Sequence, residues 1–114
     1  MIENTVYDTF VLSDVSTNTE TLAAGQNIAA RTPLGRVSAT GLLVACDLAA
    51  NDGSEVPVGL SVFDIDATSG AMDCPIYVSG RFDYNLVEFD ASFDTDAKKK
   101  AAFDRTAITL IPVD

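Results

Sequence analysis

The sequence contains no histidine, and its 7 basic residues are outnumbered by 17 acidic ones. Without histidine, the chain lacks the commonest general base, the commonest metal ligand and the usual partner of a nucleophilic serine or cysteine. Its net charge of −10 also argues against binding to phosphate backbones or anionic membranes, which require clustered Lys and Arg. We therefore expect no enzyme activity, no cofactor or small-molecule substrate, and no nucleic-acid or membrane partner.

Cysteine is scarce as well, since the chain has only Cys46 and Cys74. Their spacing matches no metal or redox motif, so they are interpreted either as a disulfide or as two buried reduced thiols. The N-terminal residues show no signal-peptide pattern, and no apolar run approaches the length of a membrane span. We expect a protein that is cytoplasmic when it is made, in whatever cell makes it.

Short β-prone runs separated by turn residues dominate the 114-residue chain, whose length fits one domain. Asn51–Ser54 is the strongest turn signal, because its Asp-Gly pair favours positive φ. A strand is predicted at Val56–Phe63, and its alternation predicts that one set of side chains faces the core. That set is Val56, Val58, Leu60 and Val62.

One helix is predicted, beginning near Asp94. Either Asp94 or Thr95 is a suitable N-cap, and Asp96 complements the positive end of the helix dipole. The following Lys98–Lys100 run is the only basic run in the chain. Three successive helical residues point in different directions, so we interpret it as a solvated helix face rather than a binding patch. A final strand is predicted at Thr106–Ile111.

The first 21 residues differ from the rest of the chain. Thr9–Leu12 is a β-prone run between polar stretches, and Ser16–Thr21 has no apolar residue to anchor it. We interpret residues 1–21 as an N-terminal arm on a loose linker and residues 22–114 as a β-rich domain. The alternative is that the segment is an ordinary first strand of the domain.

Two groups of residues invite a chemical interpretation. Asp64, Asp66 and Asp73 suggest carboxylate catalysis or a Ca²⁺ loop, but the bidentate Glu of a calcium hand is missing, so solvated turn acids are favoured. The aromatic residues suggest a stacking surface, but without a basic setting, packing in the core or at a subunit interface is favoured. They include Tyr77, Phe82, Tyr84, Phe89, Phe93 and Phe103.

Two blocks of the chain carry a family resemblance. The first comprises Thr9–Asp14 and Leu22–Val37 and continues through Ala39–Gly41 to Asp52–Ser54 and Val58–Leu60. It is similar to the short arm motif and the following "AAGQ" stretch of the head decoration proteins of tailed phages, the family that includes the phage lambda head decoration protein.

The second block resembles the lambda member of that family more closely. Ser79–Tyr84 is similar to its "SGTFRY", while Lys98–Phe103 and Thr106–Thr109 are similar to its "KKRTAF" and "TAIS". The Trp-Pro pair of the family is replaced here by Phe89–Asp90, which removes a large anchor and a rigid turn before the helix.

The resemblance implies a mainly-β, β-clip-type bent ribbon with a partial barrel, one short C-terminal helix and an extended N-terminal arm. It implies a homotrimer on threefold and quasi-threefold sites of the outer surface of the expanded phage head. There it would bind the major capsid protein and stabilise the head against internal DNA pressure. The implied capsid-binding arm is Val6, Tyr7, Thr9, Phe10, Val11, Leu12, Ser13 and Asp14, and the candidate core or trimer-interface residues are Pro33, Leu34, Phe82, Phe89 and Phe103.

The physics of the arm agrees with this role, because a β-prone segment can pair with an exposed sheet edge of another chain. Phe10 or Leu12 would then fill a pocket of the partner. The rival hypothesis is a small β-rich ligand-binding or adaptor module, which predicts a concave apolar pocket and needs no arm.

Overall fold

The computed structural model describes residues 10–112, and this part of the chain is built mainly from β-strands. Its helical segments are a 3-10 helix at Tyr84–Leu86 and the α-helix α1 at Asp96–Ala101. The predicted mainly-β class with one short helix late in the chain is therefore confirmed. The strands are β1 Val11–Leu22, β2 Asn27–Ile28, β3 Pro33–Arg36, β4 Leu43–Ala45, β5 Pro57–Ser61, β6 Ile65–Asp66, β7 Met72–Asp83 and β8 Ala107–Ile111.

Six of these strands form one sheet in the order β1-β4-β3-β5-β7-β8, and β1 also pairs with β7. Five strands of this sheet, β1, β4, β3, β5 and β7, are thereby joined in a ring. The ring is only partial, because β1 meets β4 at the single pair Leu22–Leu43 and β5 meets β7 through Leu60 and Ser61 alone. The predicted partial barrel corresponds to this ring-like sheet, which is not a closed barrel. The β-clip assignment stays a prediction.

The longest pairing in the fold is an antiparallel ribbon formed by β1 and β7. Thr17–Leu22 pairs in regular register with residues 72–77, whereas the register shifts three times between Val11 and Thr17. Gly80 lies opposite this irregular part with φ of +130°, and a Cβ there would come within 2.9 Å of the Val15 Cα atom. The irregularity therefore depends on a glycine that lets the two backbones approach, and bulges of this kind bend a ribbon.

The polar segment Ser16–Thr21 lies within β1, and the expectation of a loose linker there is corrected. Backbone pairing with β7 needs no apolar side chains, and polar side chains reinforce it. The Thr21 hydroxyl donates to Asp73 of β7 at 2.6 Å. Arg36 of β3 donates to Glu20 at 3.1 Å and so ties β1 to a second strand. The assignment of residues 1–21 as a capsid-contacting arm is a separate matter and stays a prediction.

The buried side chains form two clusters. The first gathers aliphatic residues from β1, β2, β3, β4, β6 and β7, including Leu22 and Leu34. The second, which we call the aromatic cluster, is formed by Phe10, Leu60, Phe82, Val87, Phe103 and Ile108. Of the candidate core or interface residues, the structure buries Pro33, Leu34, Phe82 and Phe103 within the single chain and leaves Phe89 half-buried against the aromatic cluster.

Helix α1 begins where the sequence predicts. Thr95 is the N-cap, and its side chain accepts a hydrogen bond from the Lys98 backbone N–H at 3.2 Å. The three lysines diverge as expected. Lys98 donates to Asp94 at 2.8 Å, Lys99 lies 5.6 Å from the Phe89 ring centroid, and Lys100 is exposed.

The predicted core-facing set of β5 is partly wrong. Leu60 is fully buried, but Val56 is exposed and Val58 and Val62 are half-buried. The strand is shorter than predicted, since β5 spans Pro57–Ser61 and leaves Val56 and Val62 beyond its ends. Within β5, which lies between β3 and β7, residues of both alternating sets are buried, including Ser61. The Ser61 hydroxyl donates to the Ala29 carbonyl at 2.7 Å, which satisfies it inside the protein.

Candidate functional site

The start of the described chain is held firmly by Phe10. Its side chain is fully buried, and its ring stacks on Phe82 with 5.0 Å between centroids. The Tyr77 ring centroid lies 6.1 Å from the Phe10 centroid, and the Arg31 guanidinium carbon lies 6.0 Å from the same Phe10 centroid. The Phe10 carbonyl also accepts a hydrogen bond from the Asp83 N–H at 2.8 Å. The predicted arm is thus rooted in the aromatic cluster at this residue.

Immediately after this root, β1 turns apolar side chains outward. Leu12 is 39% exposed and Val15 is 41% exposed, although both are large aliphatic residues in a strand. Over residues 11–21, β1 pairs with β7 on one side, and within residues 10–112 no strand pairs with its other side. Such an edge offers free N–H and C=O groups to another chain. The edge together with Leu12 and Val15 is called the β1 edge below.

The structure separates the predicted arm residues into three groups. Val6, Tyr7 and Thr9 lie outside the described residues. Phe10 is in the core, so it fills a pocket of its own chain. The remaining four residues, Val11, Leu12, Ser13 and Asp14, belong to β1, and the Ser13 hydroxyl is buried without a hydrogen-bond partner in the described range.

Val15 and Gly80 were missed by the sequence analysis. Val15 stands one residue beyond the predicted arm and is exposed, as is each residue from Val15 to Thr19. Gly80 permits the irregular register between Ser13 and Thr17, but 65 positions separate it from Val15 in the chain. No local signal in the sequence identifies either residue, because the bulge exists only once β1 and β7 are paired.

The three acids considered for catalysis or calcium binding have structural partners. Asp64 accepts from the Ala30 N–H at 2.7 Å, and Asp73 accepts from the Thr21 hydroxyl. Asp66 accepts from the Thr68 hydroxyl and N–H, and these bonds lower the pKa of its carboxyl below the usual value. Among residues 10–112, no group of three or more Cys, Asp or Glu side chains is arranged to hold a metal ion.

The rival ligand-binding hypothesis requires a concave apolar pocket. One cavity is an open groove of about 450 Å³ beside α1, and another of about 260 Å³ lies beside β8. Ligand sites combine an apolar wall with a few precisely placed buried polar groups. The buried polar residues of the described range, Thr32, Ser54 and Ser61, line neither cavity.

Both cysteines are free thiols and both are buried. Burial raises the pKa of the Cys46 thiol to about 12, and the neighbouring Asp47 carboxylate acts in the same direction. Burial also raises the pKa of Cys74, with the Asp73 carboxylate as a further cause. The structure therefore matches the interpretation of two reduced, buried thiols.

We expect neither thiol to react with a disulfide reagent in the native protein at pH 8. The thiolate is the reactive form, and a pKa of about 12 leaves roughly one Cys46 in ten thousand ionised at that pH. Titration with a chromogenic reagent should count two thiols per chain in denaturant and essentially none without it. A Thr109→Cys variant, which places a thiol at an exposed position, serves as the positive control. Rapid native labelling of two thiols would contradict this arrangement.

None of the helices in the described range is long and apolar enough to cross a membrane. The described residues form a small β-domain with two packed clusters, an N-terminal segment anchored by Phe10 and an exposed sheet edge. Of these features, the exposed edge is the one suited to pairing with another chain. Asp64, Asp66 and Asp73 serve turns and contacts between strands.

A family model described as "Bacteriophage lambda head decoration protein D" matches residues 5–111. The chain therefore belongs to the lambda head decoration protein family. This family consists of structural proteins of the phage capsid and is not an enzyme family, so the chain has a capsid decoration role. A search among curated proteins finds no match.

Proposed function

We propose that the chain forms a homotrimer that binds threefold and quasi-threefold sites on the outer surface of the expanded phage head. After synthesis in the host cytoplasm, it would bind the major capsid protein and stabilise the head against internal DNA pressure. The contact with capsid protein is made by the arm, Val6–Asp14, continued by the β1 edge as far as Val15. Neither a cofactor nor a substrate takes part.

The observation that carries this proposal is that the buried side chain of Phe10 is followed directly by the exposed β1 edge. Phe10 fixes where the arm leaves the domain, and the next strand presents Leu12 and Val15 beside an edge that no other strand of residues 10–112 pairs over residues 11–21. Strand addition draws affinity from main-chain hydrogen bonds and specificity from alternate side chains. The β1 edge supplies both, and the family match extends across the whole arm from residue 5.

The charge of the chain supports a position outside the shell. Packaged DNA fills the interior, and a chain of net charge −10 gains nothing from phosphate contacts. The same charge keeps free copies soluble at high concentration before assembly.

Multivalency explains how short arms with low individual affinity bind a pressurised head tightly. Ordering a flexible segment costs about 2–5 kcal/mol, so a single arm binds weakly. Three arms on one trimer raise the overall avidity by about 10²–10⁴ when the geometry allows all of them to engage. Many weak contacts distributed over the shell then resist expansion together.

The test is co-sedimentation of the full chain with expanded empty heads. We expect the double variant Leu12→Asp, Val15→Asp to bind heads at least about tenfold more weakly, since it places two carboxylates where apolar contact is proposed. Thr109→Asp, which adds one charge to an exposed position in β8, is the control and should pellet like the wild type. A truncation up to residue 21 is unsuitable, because it removes Phe10 and nearly all of β1.

Either of two results would overturn the proposal. If the double variant pellets as well as the control, the β1 edge is not the capsid contact. If the folded wild-type chain fails to pellet with the heads of its own phage, the proposed binding mode itself is wrong. Circular dichroism of each variant before sedimentation separates loss of binding from loss of fold.

A further inference from the structure

The groove beside α1 has an apolar floor and an unpaired cation at its rim. Its volume is about 450 Å³, and Val56 within it is 37% exposed. Arg105 is exposed and makes no ion pair or hydrogen bond within the described part of the chain. The lining that matters here is Leu48, Val56, Pro57, Ala101, Ala102 and Arg105, and we call it the α1 groove.

The α1 groove lies beside a segment that is less acidic than the chain as a whole. Residues 94–105 carry four basic and three acidic side chains, so the other 102 residues carry three basic and fourteen acidic ones. Two carboxylates, Glu55 and Asp104, also line the groove, and Glu55 accepts from the Gly53 N–H at 2.8 Å. Lys98 is already paired with Asp94, which leaves Arg105 as the cation available to a partner.

A segment with the complementary character lies elsewhere on the same chain. Phe63 is 59% exposed, more than any other large hydrophobic residue in the described range, and Met72 is 44% exposed. Asp64, Asp66 and Asp73 are exposed beside them, and no basic residue occurs from 63 to 73. We call residues 63–73 the acidic end.

The two surfaces cannot meet within one chain. Val56 immediately precedes β5 (Pro57–Ser61), and Phe63 follows its end by two residues. A strand rises about 3.3 Å per residue, so the two side chains lie roughly 20 Å apart at opposite ends of β5. A contact between them must join two copies of the chain.

We propose that the acidic end of one copy docks in the α1 groove of a second copy, with Phe63 over Val56 and the aspartates facing Arg105. The buried phenyl ring supplies the apolar anchor, and the Arg105 pairing offsets the repulsion between two chains of like charge. The contact joins two different surfaces, so it is head-to-tail, and such a contact gives a ring only when the rotation between copies closes. The inference rests on the proposed function for that closure and for the number of copies, which is three.

Cysteine cross-linking of the full chain tests this geometry directly. Val56→Cys and Phe63→Cys place thiols on the two surfaces, while the native Cys46 and Cys74 are buried. Under mild oxidation, we expect neither single variant to form covalent dimers by itself. A mixture of the two should give dimers, and the double variant should give a covalent ladder that ends at trimer. The wild type, which should not cross-link, is the control.

A charge reversal gives an independent measurement. Sedimentation velocity of Arg105→Glu should show trimer dissociating at a concentration at least about tenfold higher than for the wild type. Lys100→Glu makes the same charge change at an exposed residue outside the α1 groove and should leave the dissociation curve unchanged.

The outcomes distinguish this contact from the wider proposal. Trimers that bind heads, show no cross-link between positions 56 and 63 and tolerate Arg105→Glu would overturn the docking of the acidic end and leave the proposed function standing. Dimers of the Val56→Cys variant by itself would show a symmetric contact and would also overturn it. A wild-type chain that stays monomeric at all concentrations would overturn both this contact and the trimer.

Discussion

Replacing Phe10 by alanine is expected to lower the free energy of unfolding by about 3–5 kcal/mol, the usual cost of removing a buried aromatic side chain. Phe10 is fully buried, stacks on Phe82 and contacts Tyr77. Truncation removes its apolar burial and leaves a cavity in the aromatic cluster. Because domains of this size are stable by about 5–15 kcal/mol in total, the loss is a large fraction of the whole.

Urea denaturation followed by circular dichroism measures this effect. Leu12→Ala is the matched control, since Leu12 lies two residues away in the same segment and is 39% exposed. It should change the free energy of unfolding by less than about 1 kcal/mol. If Phe10→Ala were equally mild, the segment before residue 22 would not belong to the folded core, and the domain boundary predicted from the sequence would also be the boundary of stability.

Gly35→Ala is expected to cost about 3 kcal/mol, although the backbone of Gly35 is not in the left-handed region. A Cβ at this position would lie 1.9 Å from the Ser54 carbonyl oxygen and 2.6 Å from the Ser54 carbonyl carbon. The turn that carries Ser54 is firmly held, because the Ser54 N–H donates to the Asp52 carboxylate and the Asp52 carbonyl accepts from the Ser38 N–H. Relief of the clash therefore requires displacement of a bonded backbone.

Gly70→Ala is the matched control for this prediction. A Cβ there would meet no atom within 4 Å, and the φ of Gly70 is not positive. Alanine restricts the unfolded chain, so we expect a change of less than about 1 kcal/mol in the stabilising direction. Thermal melts of the two variants should differ clearly, since about 1 kcal/mol shifts the midpoint by about 4–8 °C in a small domain. Equal melting temperatures would contradict the close approach of Gly35 to Ser54.

These two substitutions probe separate parts of the molecule. Phe10 anchors the arm in the aromatic cluster. Gly35 lets β3 pack directly against the turn that carries Ser54. Loss of either should weaken head binding only through loss of folded protein. The Leu12→Asp, Val15→Asp variant, by contrast, should weaken binding while the domain stays folded. Together, these variants separate stability from capsid contact.

Local features of the structure were predictable wherever a few neighbouring residues decide them. The Asn51–Ser54 turn occurs as expected, and Gly53 in it has φ of +101°. Helix α1 begins at the predicted cap, because Thr95 needs only the N–H of Lys98 three residues later. The carboxylates of the turns likewise serve neighbours close in the chain, as Asp66 does for Thr68.

The candidate site was predictable only in part. The sequence pointed to the segment around residues 9–14, but it suggested that either Phe10 or Leu12 fills a pocket of the partner. The structure places Phe10 in the core and leaves Leu12 and Val15 outside. These three residues are all apolar and lie within six positions, so their types alone do not distinguish the buried one from the exposed ones.

The sequence by itself determined the mainly-β class, the helix, the absence of histidine chemistry, the strongly acidic charge and the family. Each of these depends on composition, on order along the chain or on interactions over a few residues. The tertiary structure alone decided that Ser16–Thr21 is a strand, that Val56 is exposed and that one edge of β1 is unpaired by any strand within residues 10–112 over residues 11–21. The physical reason is distance along the chain, because β1 pairs with β7 across 50 to 71 positions, and burial depends on which remote strand arrives on each side.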